Sequence, residues 1–305
     1  MGEKIRHKRT EEFKAYLLRM MPNSRMNEDT AITPENIYQE AHIANRELLL
    51  EIISKTHLAG STILGEANVL KIEELASQGK SVLILSDHVS NLDVPNIYAQ
   101  FYNHRNPKFK EIFERFVFIA GTKLNENPVV KVFTEMFTRV VVYAIRSLTE
   151  LKNCEEAKDE LELANKINLR STRKIGELRN KGSIFILFPA GTRYRPWMPE
   201  TKKGITAVYG YLRSFDYYCC LSLNGNTMPP AEHEDMTKED VCDDVVVLNF
   251  GEIHETKTYI QSFAIDLTNL TLSESEAQKQ VVADDIMAKI DQLHEEAEIY
   301  RQKYI

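Results

Sequence analysis

The chain has 305 residues, 43% of them hydrophobic, so it is long enough to bury a substantial core. Its 38 lysines and arginines are outnumbered by 45 acidic residues, and the net charge of −7 excludes the overall basic balance of general nucleic-acid binders. No apolar stretch approaches the ~20 residues that a membrane-spanning helix needs. We therefore expect a soluble, cytoplasmic protein with no nucleic-acid partner, associated at most peripherally with a membrane.

The first 78 residues carry helical patterns. Apolar positions recur at helical spacing over residues 11–21 and 33–57, and Pro34 after Thr33 is typical of a first helical turn. A third pattern, over 68–80, includes Gly79, a residue type that commonly ends helices. The sequence predicts a small helical bundle domain over 1–78 and a second domain over 79–305.

From residue 81 onward, short β-rich runs alternate with helical patterns. The runs lie at 81–86, 115–120, 138–145, 182–188, 217–223 and 244–250, and the helical patterns at roughly 91–104, 128–138 and 155–180, with a long charged helix from about Ser273 to Tyr304. An acidic loop spans 229–244. Strands that alternate with helices are typical of an α/β fold. The predicted fold class is a mixed, largely parallel sheet flanked by helices.

Polar residues follow four of these runs where each one ends. They are Asp87 and His88, then Lys123, then Arg146, and finally Arg193 and Arg195. Because the carboxyl ends of parallel strands meet at one edge of a sheet, the histidine and four cations are expected to share a cleft. Such a cleft favours an anionic ligand, and phosphate is the natural candidate. The alternative is that each cation is only solvated at its strand end.

The histidine and the carboxylate five positions later suggest acid–base chemistry. Ser90 or Asn91 is expected to cap the next helix, which places Asp93 in its first turn, where its side chain can fold back toward His88. A carboxylate at one ring nitrogen fixes the tautomer and leaves the other nitrogen to take a proton from a hydroxyl. The spacing alone also fits a hydrogen-bonded loop histidine beside an ordinary acidic residue at a helix start.

Other chemistries leave weaker signals in this sequence. The patterns GxSxG, GxxxxGK[ST] and GxGxxG are absent, so a serine nucleophile and nucleotide chemistry have no support. Asp87, His88 and Asp93 could instead hold a metal together with a further histidine. A metal-dependent phosphoesterase is therefore a distant alternative.

Two sequence blocks resemble the glycerolipid acyltransferase superfamily. "HVSNLD" at 88–93 matches its HxxxxD motif, and "FPAGTR" at 188–193 is similar to its FPEGTR block, with Ala190 in place of the acid. The stretches "AGTKLNENPVVKVF", "VVVYAIRS" and "TRYRP" are similar to the soluble glycerol-3-phosphate acyltransferases of chloroplast type. The resemblance covers most of residues 80–200.

This resemblance implies an enzyme that transfers a fatty acyl group from acyl carrier protein or coenzyme A to the sn-1 hydroxyl of glycerol 3-phosphate. It implies neither a cofactor nor a metal, and it makes 79–305 the catalytic domain. By position, His88 is the general base and Asp93 its partner. The remaining expected site residues are Lys123, Arg146, Ser147, Arg193 and Arg195 for the phosphate, and Gly191 and Thr192 for the oxyanion or for motif support. Ser147 stands where the family has a histidine, and lysophosphatidic acid or another acylated alcohol is the alternative acceptor.

The donor partner has further candidate surfaces. Acyl carrier proteins are acidic, and the helical pattern that ends near residue 180 carries six cations, which are Lys166, Arg170, Arg173, Lys174, Arg179 and Lys181. These cations could dock such a partner or anionic lipid, although a solvated helix face is an equal alternative. Tyr194, Trp197 and Met198 are candidates for contact with the acyl chain, with aromatic packing as their other interpretation.

Overall fold

The computed structural model describes residues 6–28, 31–144, 148, 157–232, 239–265, 268 and 270–305. The helices in these ranges are α1 (Thr10–Met20), α2 (Arg46–Thr56), α3 (Glu66–Ser77), α4 (Asp93–Tyr102), α5 (Lys108–Phe113), α6 (Pro128–Thr134), α7 (Lys158–Arg179), α8 (Ala207–Leu212), α9 (Thr256–Gln261) and α10 (Leu272–Arg301). The strands are β1 (Tyr38–Gln39), β2 (Thr62–Leu64), β3 (Val82–Ser86), β4 (Phe116–Gly121), β5 (Arg139–Val142), β6 (Ile184–Leu187), β7 (Tyr217–Asn224) and β8 (Val247–Glu255).

The strands form one sheet in the order β1-β5-β4-β6-β3-β7-β8-β2. Strands β5, β4, β6, β3 and β7 run parallel to one another, and β8 and β2 form a second parallel pair. The β1–β5 and β7–β8 pairs are antiparallel. The predicted α/β class, a mixed and largely parallel sheet, is confirmed. Strand β3, which leads to His88, lies near the middle, with β6 on one side and β7 on the other.

Each face of the sheet is covered by a hydrophobic core. Val82 and Ile84 of β3 face one core together with helices α1 to α6, and Leu83 and Leu85 face the other core with α7, α8 and α10. All five residues of β3 are buried. A strand buried on both faces reads as a continuous apolar run, which is why residues 82–85 show no polar alternation. Among the described helices, none has the length and apolar character required to cross a membrane.

The helix predicted over residues 33–57 is wrong in its first half. Tyr38 and Gln39 form β1 and pair with β5, and α2 begins only at Arg46 after a short 3₁₀ turn. The Asn36 side chain accepts a hydrogen bond from the Thr33 N–H and donates to the Ala31 carbonyl, so it stabilises a local turn. Such local bonds compete with helix formation, and the turn directs Tyr38 toward the sheet.

The division at residues 78 and 79 stays a prediction, but the described contacts cross it. Strands β1 and β2 from the first segment pair with β5 and β8 of the second. Phe13 and Leu49, from the N-terminal helices, lie in the same core as Val82. The N-terminal segment therefore completes the sheet and its core.

Candidate active site

His88 and Asp93 lie together in the turn that joins β3 to α4. The His88 ring Nδ1 is 2.6 Å from Asp93 Oδ2. The same oxygen accepts the backbone N–H groups of Val89 (2.8 Å) and Ser90 (2.9 Å), and Asp93 is only 1% exposed. Because a carboxylate at Nδ1 favours the proton on that nitrogen, Nε2 carries the free lone pair.

The turn is stabilised in a different way from the predicted cap. Leu92 is the residue before α4, and no side chain caps the helix, so the prediction that Ser90 or Asn91 does so is wrong. The Ser90 hydroxyl accepts a hydrogen bond from the N–H of Leu92, the residue just before α4, and donates one to the Met228 carbonyl. Asn91 instead donates its amide to Glu239. Both polar side chains therefore fix the turn that carries the histidine.

The second motif block packs against this turn. Phe188, directly after β6, stacks on the His88 ring with 4.4 Å between ring centroids. The backbone N–H of Tyr194 donates to the His88 carbonyl at 2.7 Å. Because β6 pairs in parallel with β3, both segments leave the sheet at the same edge. The histidine and the arginine-bearing loop are thus held side by side through backbone and ring contacts.

The loop after β6 has a conformation that depends on glycine. Gly191 has φ of +66°, a left-handed value that glycine adopts without strain, and its N–H donates to the Phe188 carbonyl. Thr192 accepts a hydrogen bond from Arg195 Nη1 at 3.2 Å. Of the two roles expected for Gly191 and Thr192, this geometry favours support of the motif, since both groups are used within the loop.

The two arginines of this loop have different environments. Arg193 is buried, and its Nη1 donates to Glu239 Oε2 at 2.7 Å. Its Nε and Nη2 have no hydrogen bond to a described residue. Arg195 is partly exposed, and its backbone N–H donates to the Thr201 hydroxyl. The partly exposed Arg195 is accessible from solvent, whereas the buried Arg193 leaves only the Nε–Nη2 edge of its guanidinium group without a described partner.

The other predicted phosphate ligands are Lys123, Arg146 and Ser147. Lys123 lies in the 3₁₀ turn Thr122–Asn125 after β4, which pairs with β6, so it is at the same edge of the sheet. Its side chain is exposed, and no described contact joins it to His88 or Arg195. Arg146 and Ser147 lie outside the described residues.

The carboxylate of Asp87 belongs to different surroundings from that of Asp93. Asp87 accepts the Leu223 N–H of β7 at 2.8 Å, and its other oxygen lies 3.5 Å from His294 Nδ1 on α10. Burial raises the pKa of Asp87, and the hydrogen bond with Asp87 raises the pKa of His294. Within the described ranges, no group of three or more His, Cys, Asp or Glu side chains could hold a metal ion.

Glu239 and Phe188 were not identified from the sequence. Glu239 belongs to the acidic loop over 229–244, where nothing distinguishes it from its acidic neighbours, although a buried arginine requires a counter-ion from somewhere. Phe188 reads as the last apolar residue of its strand, and its ring contact depends on the neighbouring strand. Glu239 has no sequence signal of its own, and the FPAGTR block that begins with Phe188 does not indicate the contact of its ring with His88.

Comparison with known proteins agrees with this geometry. Residues 67–217, which include both motif blocks, match the family model described as Acyltransferase. This region belongs to the acyltransferase family. The family expected from the two blocks is thereby confirmed, and so is the class of enzyme.

Curated relatives are similar to the acyltransferase region. A chloroplastic glycerol-3-phosphate acyltransferase of Cucurbita moschata is 30% identical over 139 residues, which is 45% of this chain and 28% of that protein. Its counterpart in Pisum sativum is 30% identical over 128 residues, 42% of this chain and 26% of that protein. The chain thus spans less than a third of the length of these relatives. They are chloroplastic by name, so the cytoplasmic location expected here stays a prediction.

Proposed function

We propose that the protein is a glycerol-3-phosphate 1-O-acyltransferase, which carries out the first step of phospholipid synthesis. The observation that supports this most is the His88–Asp93 pair at 2.6 Å, packed against the loop that carries Arg193 and Arg195. A general base beside fixed cations suits the attack of a phosphate-bearing alcohol on a thioester. The curated relatives are named glycerol-3-phosphate acyltransferases.

In the proposed reaction, His88 Nε2 takes the proton of the sn-1 hydroxyl as its oxygen attacks the thioester carbonyl. Asp93 stabilises the imidazolium that forms, because its carboxylate already accepts the Nδ1 proton. The tetrahedral intermediate then collapses, the carbon–sulfur bond breaks, and the thiolate receives the proton. An ester and a free thiol result, with no acyl-enzyme and no cofactor.

The phosphate of the acceptor is the group that orients it. The guanidinium of Arg195 is accessible, and the Nε–Nη2 edge of Arg193 has the fork geometry that binds two phosphate oxygens together. Lys123, Arg146 and Ser147 are proposed as further phosphate contacts. Two or more charge-assisted bonds would fix the hydroxyl near Nε2, which lowers the barrier through orientation.

The donor is an acyl thioester on acyl carrier protein or coenzyme A. Trp197 and Met198, which follow Arg195, are both exposed, which leaves their apolar surfaces available to the acyl chain. On α7, Arg170 and Arg173 face solvent, whereas Lys166 pairs with Glu162. These arginines are the proposed contact for an acidic carrier protein or for peripheral binding to anionic lipid.

A donor and acceptor matrix tests the proposal. Purified protein is incubated with acyl carrier protein or coenzyme A thioesters, together with glycerol 3-phosphate or lysophosphatidic acid, and thiol release is measured. We expect release with glycerol 3-phosphate and at least one donor. Preference for lysophosphatidic acid in competition would move the proposal to the second acylation step.

Two further arms complete this experiment. The His88→Ala protein is the matched control, and thiol release at the wild-type rate would show that the histidine is not the base. Release of inorganic phosphate from glycerol 3-phosphate without any donor would instead indicate a phosphoesterase. No thiol release with either donor would count against acyl transfer.

A further inference from the structure

Glu239 bonds to both motif blocks at once. Its Oε2 accepts from Arg193 Nη1 at 2.7 Å and from Asn91 Nδ2 at 2.9 Å. Asn91 belongs to the HxxxxD turn and Arg193 to the loop after β6. A single carboxylate oxygen therefore joins the segment that carries the base to the segment that carries the arginines.

Stability alone does not account for this carboxylate. The Glu239 side chain is 0% exposed, and its other oxygen, Oε1, is buried with no hydrogen-bond partner among the described residues. A buried ion pair adds little net stability compared with apolar residues of similar volume, and an unsatisfied buried oxygen is unfavourable. An unsatisfied buried carboxylate oxygen therefore calls for an explanation, and a functional role is one of those known for such groups.

The geometry of Arg193 shows what the carboxylate does. A guanidinium group is planar, so an acceptor at Nη1 fixes the plane and leaves the Nε–Nη2 edge for a second anion. Without an acceptor at Nη1, the side chain could rotate and lose this orientation. Asn91 lies two residues before Asp93, so the same oxygen also fixes the distance between the arginine and the His88 turn.

We propose that Glu239 is a positioning residue for phosphate recognition, acting through Arg193. This inference rests on the proposed function and assigns a role to a residue outside both motifs. The phosphate class of ligand is recognised by the arginine fork, and Glu239 sets the direction of that fork. The carboxylate itself touches neither substrate.

The backbone that carries Glu239 is held by the N-terminal segment. The Arg9 N–H donates to the Val241 carbonyl, and the Val241 N–H donates to the Thr10 hydroxyl. Lys8 pairs with Asp240 at 2.6 Å on the surface. Asp240 is thus a matched control, since it is an acid one residue further along with a half-exposed side chain bonded to Lys8 and Thr10.

The test compares Glu239→Gln with Asp240→Asn in the full chain. For Glu239→Gln we expect the KM for glycerol 3-phosphate to rise about tenfold or more, with kcat within about threefold and the donor KM unchanged. Asp240→Asn should match the wild type. Titration calorimetry with glycerol 3-phosphate and with inorganic phosphate should show the same loss of affinity, which gives a readout independent of acyl transfer.

A double variant tests whether the effect passes through Arg193. If it does, Arg193→Ala with Glu239→Gln should bind glycerol 3-phosphate no more weakly than Arg193→Ala alone. Should Glu239→Gln fail to fold, Glu239→Asp keeps the charge on a shorter side chain that cannot reach both partners, and a raised KM is expected there too. A double variant that binds no more weakly than Arg193→Ala, or a raised KM in Glu239→Asp, would support the positioning role.

Three outcomes would overturn the role of Glu239. They are an unchanged KM in a folded variant, a lower KM, which would make the carboxylate a competitor of phosphate, and a loss confined to kcat and thermal stability. A wild-type protein that neither releases thiol nor binds glycerol 3-phosphate would overturn the proposed function itself. The two failures are therefore distinguishable.

Discussion

The backbone N–H of Tyr194 donates to the carbonyl oxygen of His88 across 2.7 Å. These residues belong to segments far apart in the sequence, and the bond joins main-chain groups, so substitution of either side chain leaves it in place. Because Arg195 is the next residue of the loop that this main-chain bond holds, the side chains of His88 and of Arg195 can be changed one at a time with little effect on the arrangement of the two loops.

Replacing His88 with alanine should remove turnover without unfolding the protein. The side chain is partly exposed in a turn, and its main packing contact is the Phe188 ring. Loss of a general base typically lowers kcat by about 10²–10⁴-fold. Thiol release measures the activity, and thermal unfolding close to that of the wild type is the control. A variant that keeps most of its turnover would contradict the assigned role.

The substitution Asp93→Asn should affect both stability and activity. Its Oδ2 accepts the His88 Nδ1 proton and two backbone N–H groups, and an amide in its place accepts less strongly. Loss of charge-assisted bonds at a buried site should lower the free energy of unfolding by roughly 2–4 kcal/mol, and kcat should fall about 10²-fold or more.

Asp87→Asn is the matched control for this prediction, because Asp87 bonds to Leu223 and faces His294. We expect this variant to keep turnover within about tenfold of the wild type. Denaturant unfolding and thiol release measure the two effects. Equal losses of kcat in both variants would argue against a distinct role for Asp93.

The two arginines should differ when each is replaced by alanine. Arg193→Ala leaves the buried Glu239 carboxylate without its cationic partner, so the free energy of unfolding should fall by about 3–5 kcal/mol. Arg195→Ala removes a partly exposed side chain and should lower it by about 1 kcal/mol or less, while the KM for glycerol 3-phosphate rises. Denaturant titration and steady-state kinetics separate the two. Equal destabilisation would be inconsistent with the buried pair.

The free energy of unfolding should fall as the pH drops from the ordinary pKa of His57 toward its lower pKa in the folded protein. Burial lowers the pKa of His57 to about 4, and its Nε2 lies 3.0 Å from Asn96 Oδ1. Between its ordinary pKa of about 6.5 and about 4, the unfolded chain binds a proton that the folded protein does not. This histidine should therefore remove roughly 2 kcal/mol of stability between pH about 7 and about 5.

The control for this effect is His57→Gln, which cannot titrate in that range. The difference in unfolding free energy between the two pH values should be smaller in the variant by roughly the same 2 kcal/mol. Urea unfolding at both pH values provides the comparison. An identical pH dependence in the two proteins would mean that the folded state accepts the proton.

The sequence predicted those parts of the structure that local patterns determine. Strand β3 is buried on both faces, so its apolar run and the polar residues after it mark both the strand and the site. The His88–Asp93 contact follows from one turn of chain, since the carboxylate lies at the start of α4. Helical spacing over 33–45 was misleading, because Tyr38 and Gln39 pair with β5 as strand β1.

Other parts of the site depend on contacts that no local pattern reports. Arg193 and Arg195 look equivalent in the sequence, yet burial beside Glu239 separates them. Glu239 itself lies among several acidic residues, and only the fold selects it. Exposure and long-range pairing are properties of the packed chain, which is why the roles of these three residues required the structure.

The outermost strands of the sheet have a consequence for handling the protein. Strands β1 and β2, two and three residues long, come from the first 78 residues and pair with Arg139–Val140 of β5 and Val247–Asn249 of β8 at the outer edges of the sheet. Short terminal strands offer few unpaired main-chain groups to a neighbouring molecule. A fragment cut at residue 79 would lose this pairing and expose more of the β5 and β8 edges, so we expect it to self-associate more than the intact chain.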